Sequence, residues 1–145
     1  NQVEIPAHLC TREFFSELHA RLAEGGWLAA NLGGFDFEDP VVAAVARTCA
    51  HAFGSPALLV RVPSSRNFVL LARRAAPLPL GPEGLEPARA ATRLVLGPRV
   101  LPGFTRLVAP DEAGLVLCDD HCPIELLQQR SIREARARRL HPEDA

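Results

Sequence analysis

The stretch Cys118-Asp119-Asp120-His121-Cys122-Pro123-Ile124-Glu125 crowds two thiols, an imidazole and three carboxylates into eight residues. Thiols and imidazoles at close spacing are zinc ligands, but a structural zinc site needs four of them. Here the two thiols stand four positions apart, and no C-x-x-C or H-x-x-x-H pair occurs elsewhere in the chain. The set is incomplete, and no metal is expected. The adjacent carboxylates Asp119 and Asp120 have two readings. They can cap the helix that Pro123 opens, or they can hold a cationic ligand, since carboxylates spaced along a polycation bind its ammonium groups.

A second candidate is Asn31, followed by Leu32-Gly33-Gly34. It falls at the carboxyl end of an expected strand, the edge at which open α/β sheets bind ligands. It can equally satisfy a turn. The Gly-Gly pair lacks the G-x-G-x-x-G spacing of a dinucleotide loop. No serine sits in a G-x-S-x-G elbow, and no cysteine has an evident histidine and orienting partner, so hydrolytic chemistry lacks support. His8 and His19 read as structural or exposed, and His51 as a helix-end residue.

Composition narrows the field further. All 16 basic residues are Arg, and Tyr and Met are absent. Without Lys there is no Schiff base and no phosphate-loop lysine. A net charge of -1 gives no basic excess for nucleic acid. No apolar run reaches the length of a membrane span and no charged-then-apolar leader opens the chain. The expectation is a soluble, cytoplasmic protein with four reduced thiols. A chain that opens at Asn1 and has no Met is expected to be part of a longer protein.

The elements that must position these residues follow from periodicity and punctuation. Thr11 is a good N-cap for a helix in which Phe14, Phe15, Leu18 and Leu22 form one apolar stripe, and Gly25-Gly26 is expected to end it. Residues 27–32 read as a short buried strand between glycine pairs. Asp39-Pro40 starts a second helix, with Val42, Val45, Cys49 and Phe53 buried and Gly54 as its stop. Residues 57–62 and 67–72 read as strands of an antiparallel hairpin. Strands alternating with helices predict a layered α/β sheet with parallel crossovers and the last strand reversed. Three strands are few for that class, and the missing partners are expected upstream of Asn1. Residues 76–114 form a Pro/Gly-rich connector with a short helix over 87–96 and an irregular stretch over 97–114. A brief strand over 115–118 and a helix from Pro123 to about Leu140 close the chain. The arginines of its REARARR run suit a solvated helix end.

Several of these segments resemble the spermidine synthase-like proteins, the polyamine aminopropyltransferase family. The run from Ile5 to Phe15, IPAHLCTREFF, is similar to the family's IPxHLxTxEFF stretch. Leu22 to Leu32 matches a helix ending LxxGG and a strand ending Asn-Leu. Arg66-Asn67-Phe68-Val69-Leu70 resembles the family's RN-apolar strand, and residues 119–127 its DDxxPxExL element. The match covers residues 5–72 and about 115–127.

The resemblance implies the C-terminal part of a Rossmann-like, S-adenosylmethionine-dependent methyltransferase-type sheet with a terminal antiparallel hairpin. On this division residues 1–75 are the C-terminal half of the transferase domain, 76–114 the connector, and 115–145 a strand and helix packed on it. The implied reaction moves an aminopropyl group from decarboxylated S-adenosylmethionine to a polyamine such as putrescine. An acid must orient and deprotonate the attacking amine, and carboxylates must hold the ammonium groups. Asp119, Asp120 and Glu125 would face the polyamine, with His8 and Thr11 in a nearby loop and Asn31 toward the nucleoside. No tightly bound cofactor is implied. The family's glycine-rich nucleoside loop and catalytic Asp precede the IPxHL segment, so they would lie before Asn1, and this chain alone is expected to be inactive. Members of the family are usually oligomers, which implies a homo-oligomer. Two further readings are a small-molecule methyltransferase using intact S-adenosylmethionine, and a non-catalytic α/β module that assembles with itself or with a partner.

Overall fold

Local capping chemistry sets the helix starts. The computed structural model describes residues 5–74 and 104–140; most of the connector, with the helix expected over 87–96, lies outside them. A short 3-10 turn, Ala7–Leu9, leads into α1 (Arg12–Arg21), where the Thr11 hydroxyl accepts a hydrogen bond from the Phe14 N–H at 3.3 Å. α1 ends before the glycine pair. Leu22 is already extended, and Gly25 at φ 71° instead turns the chain into β1 (Trp27–Gly33). The Gly25 N–H donates to the Arg74 carbonyl at 3.1 Å, fixing that turn beside the end of the hairpin.

α2 (Pro40–Phe53) begins and ends as its sequence predicts, with Asp39 as N-cap and Gly54 left-handed at φ 61°. The Asp39 carboxylate, only 3% exposed, has a wider role than capping. It accepts from the N–H groups of Val41 (2.9 Å), Val42 (3.4 Å) and Phe35 (3.1 Å), and from the Ser131 hydroxyl at 2.5 Å. One side chain thus joins the loop after β1, the start of α2 and the last helix.

β2 (Ala57–Arg61), β3 (Asn67–Arg73) and β4 (Thr105–Val108) complete one open sheet in the order β1-β3-β2-β4. The expected hairpin is present, with Leu59 opposite Leu70 and Val60 opposite Val69. The pairing of the sheet differs from the expectation. Every neighbouring pair is antiparallel, because β3 folds back between β1 and β2 and keeps those two co-directional strands from touching. β1 also differs from the buried strand expected. It is the edge of the described sheet, and Trp27 is 48% exposed under the Arg73 guanidinium, 5.4 Å from its ring centre.

β4 lies in a stretch whose sequence suggested irregular chain. Its four residues pair with β2, and Arg106 anchors it by ion pairs to Glu38 and Glu112. Conversely, the strand expected over 115–118 is reduced to a single bridge between Cys118 and His121. α3 (Ile124–Leu140) closes the described chain where the sequence placed it.

The core lies between the inner face of the sheet and α2, with α1 and α3 packed on either side of α2. Val42, Val45 and Cys49 of α2 meet Leu59, Phe68 and Leu70 of the sheet, all at most 1% exposed. Burying each large apolar side chain of this group contributes about 1.5–3 kcal/mol. The opposite face is less covered. Ala29, Leu71, Leu58 and Leu107 form one apolar row across all four strands, and Leu107 is 46% exposed. Among the described residues, no helix is long and apolar enough to cross a membrane.

Candidate functional site

The start of α1 and the turn before α3 are brought together by a relay through Thr48. Its buried hydroxyl donates to the Ala44 carbonyl at 2.7 Å and accepts from the Leu117 N–H at 2.9 Å. The Leu117 carbonyl in turn accepts from the Arg12 N–H at 2.8 Å. The peptide groups on both sides of Leu117 are therefore fixed, one to α2 and one to the first residue of α1. The next residues form a tight turn closed by two backbone hydrogen bonds between Cys118 and His121, of 3.1 and 2.9 Å. The Asp119 N–H at its tip donates to the Glu13 carboxylate at 3.0 Å.

These contacts shape an open cleft of about 560 Å³. One wall is the 3-10 turn with His8, followed by Thr11; the other carries Asp119 and Cys122. Glu13 and Glu17, one helical turn apart on the same face of α1, complete an acidic lining. Glu13 bonds Arg12 and Glu17 bonds Arg21, each at 2.6 Å, so two of the three carboxylates are partly neutralised from outside the cleft. The hydrogen bonds from Arg12 hold the Glu13 carboxyl below the usual carboxylate range. Asp119 has no ion-pair partner among the described residues.

Of the residues singled out in the sequence, His8, Thr11 and Asp119 converge here. Thr11 is 1% exposed and its hydroxyl is occupied as the N-cap of α1, so it shapes the wall without offering a free donor. Asp120 and Glu125 are exposed outside the cleft lining. Neither Asp119 nor Asp120 makes a side-chain capping bond to α3 among the described residues. Asn31 stands elsewhere, in a smaller cleft of about 120 Å³ at the carboxyl end of β1, with Gly33, Gly34, Arg66, Asn67 and Gln128. The Arg66 guanidinium lies 5.2 Å from the centre of the Phe35 ring there. Ile5 lines this cleft while Ala7 to Leu9 line the larger one, so a single short segment separates the two.

Comparison with known proteins finds no match to a family model, a curated protein or a solved structure. The site must speak for itself. Glu13 and Glu17 enter it without having been singled out for binding, and Cys122 had been weighed only as a metal ligand. The i, i+4 spacing of Glu13 and Glu17 was the available signal for an acidic face on α1. No sequence signal joins Cys122 to Cys10, whose sulfurs lie 3.6 Å apart. Among the described residues, no group of three or more His, Cys, Asp or Glu side chains is arranged to hold a metal ion.

Proposed function

We propose that this chain is the C-terminal half of a spermidine synthase-like transferase and that the acidic cleft holds the polyamine acceptor. The observation that carries the reading is the convergence on one cleft of His8 and Glu13 from the first resembling segment, Asp119 from the last, and the neighbouring Glu17. Ammonium groups of a linear polyamine match carboxylates distributed along such a surface, and charge-assisted hydrogen bonds to them are stronger than neutral ones. In the reaction an acceptor nitrogen, freed of a proton, attacks the carbon next to the donor's sulfonium. The new C–N bond forms as the C–S bond breaks, and the neutral thioether leaves. The base for that proton and the nucleoside loop belong, on this reading, to a segment before Asn1. The reversed β3 of the hairpin and the co-directional β1 and β2 support a Rossmann-like relationship. Four free cysteines suit the cytoplasm.

The test is calorimetric titration of spermidine into the chain at low ionic strength. Binding should weaken about tenfold in Asp119→Asn, a loss of about 1.4 kcal/mol. Asp120→Asn should bind nearly as the parent does, because that side chain stands outside the cleft. Equal affinity in the parent and Asp119→Asn, or no binding at all, would refute the assignment.

A second reading, assembly, is favoured by the apolar row Ala29-Leu71-Leu58-Leu107 and by the unpaired side of β1 within the described sheet. It fits the expected homo-oligomer. Sedimentation that depends on concentration, and that Leu107→Glu abolishes, supports it; a monomer at all concentrations rules it out.

A further inference from the structure

Cys122 lines the acidic cleft, and Cys10, at the end of the 3-10 turn, lies buried behind the lining and faces Cys122. Their sulfurs are 3.6 Å apart, and both thiols converge on the Ala7 carbonyl, at 3.0 Å from Cys10 and 3.5 Å from Cys122. A disulfide requires about 2.05 Å between sulfurs, so closure needs a shift of roughly 1.5 Å. The two backbones are already held together by the Arg12–Leu117 and Asp119–Glu13 hydrogen bonds. Exposure differs across the pair: Cys10 is 0% exposed, whereas the half-buried Cys122 lines the cleft and is open to small solutes.

We infer that Cys10 and Cys122 form a reversible disulfide on exposure to a hydroperoxide, and that this bond locks the two walls of the cleft together. The accessible partner reacts first. The Cys122 thiolate attacks hydrogen peroxide, an S–O bond forms, the O–O bond breaks, and hydroxide leaves, giving a sulfenic acid. The Cys10 sulfur then attacks that sulfur, the S–S bond forms, the S–O bond breaks, and water leaves with the Cys10 proton. In balance, two thiols give up two electrons and two protons, and one peroxide becomes two waters. Burial first, and then the neighbouring Cys122, push the Cys10 thiol up to about 12, which keeps it protonated and leaves the first reaction with peroxide to the accessible Cys122. The bond joins the segment carrying His8 and Thr11 to the turn carrying Asp119, so oxidation fixes the width of the cleft. This inference stands whatever the cleft binds.

Peptide mapping tests it directly. The chain has no Lys, so trypsin cuts only after Arg, and Cys10 falls in peptide 1–12 while Cys118 and Cys122 share peptide 107–130. A Cys118→Ser background removes that ambiguity. After peroxide treatment of Cys118→Ser, the expected product is peptide 1–12 joined to 107–130, two hydrogens lighter than the sum and released by dithiothreitol. The joined peptide should be lost in Cys10→Ser, where Cys122 overoxidises to the sulfinic acid. The oxidised chain should also unfold at a higher temperature than the reduced one. Sulfinic acid on Cys122 with no joined peptide in Cys118→Ser, or linkage of Cys122 to Cys49 or to a second copy, overturns the inference.

Discussion

Replacing Asp39 by Ala tests whether one carboxylate holds three elements together. The substitution removes the N-cap of α2, worth about 0.5–2 kcal/mol. It also strips the acceptor from the Phe35 N–H and the buried Ser131 hydroxyl, each left unpaired at about 1 kcal/mol or more. The expected loss is about 3 kcal/mol, which lowers the melting temperature by about 10 °C for a domain of this size. Asp39→Asn keeps one capping oxygen and should lose about half as much. Urea unfolding of Asp39→Ala, Ser131→Ala and the double variant closes a thermodynamic cycle, and the Asp39–Ser131 hydrogen bond predicts a coupling of about 1 kcal/mol. If the two losses simply add, or if Asp39→Ala costs no more than an ordinary cap, the carboxylate does not bridge α2 and α3 and the reasoning is wrong.

Other perturbations have equally definite outcomes. Thr48→Val leaves the buried Leu117 N–H without an acceptor, so it should cost about 1–3 kcal/mol and speed amide exchange at Leu117, whereas Thr48→Ser keeps that amide protected; exchange followed by NMR decides. Gly34→Ala would drive a methyl into the Val42 side chain and to 3.2 Å from the Asp39 carboxyl carbon. The expected cost is about 1–3 kcal/mol, read as a lower urea midpoint at unchanged slope. Burial pushes the Cys49 thiol from 9.0 up to about 12, so between those pH values the native state keeps a proton that the unfolded chain has released. Stability from this group is full below about pH 9 and falls by about 1.4 kcal/mol per pH unit above it. Cys49→Ala should flatten that part of the curve in alkaline unfolding experiments, and an unchanged slope would show that another group is responsible.

What could be read from the sequence was chemistry confined to a few neighbouring residues. Thr11, the Asp39-Pro40 pair and Gly54 act within one turn of helix, and each is found in its expected place. The hairpin was legible because its turn is short. The place of β3 between β1 and β2 was not, since it depends on how the hairpin folds back against a distant strand. β4 escaped notice because four residues including an arginine carry little strand signal, and its stability comes from β2, Glu38 and Glu112. Trp27 opens a strand expected to be buried, yet edge position and an arginine cover leave it half-exposed. At the cleft, His8, Thr11 and Asp119 were singled out by resemblance and carboxylate spacing, while their meeting depends on the Thr48 relay, which joins residues 69 apart. The Cys10–Cys122 approach spans 112 residues and leaves no local trace at all.

The insertion of β3 also makes the contact between two successive strands depend on a later one. β1, α2 and β2 are consecutive, and by themselves they would form an ordinary crossover with two strands side by side. Here those strands stand two spacings apart, about 10 Å, with the interval reserved for a strand that comes later in the chain. The facing rows of peptide groups on β1 and β2 find their partners only in β3, which follows both in the chain and ends at Arg73. β3 reaches that slot by turning back through residues 62–66, so this short turn is the hinge on which the joining of β1 to β2 depends, while β4, later in the chain, closes on the other side of β2.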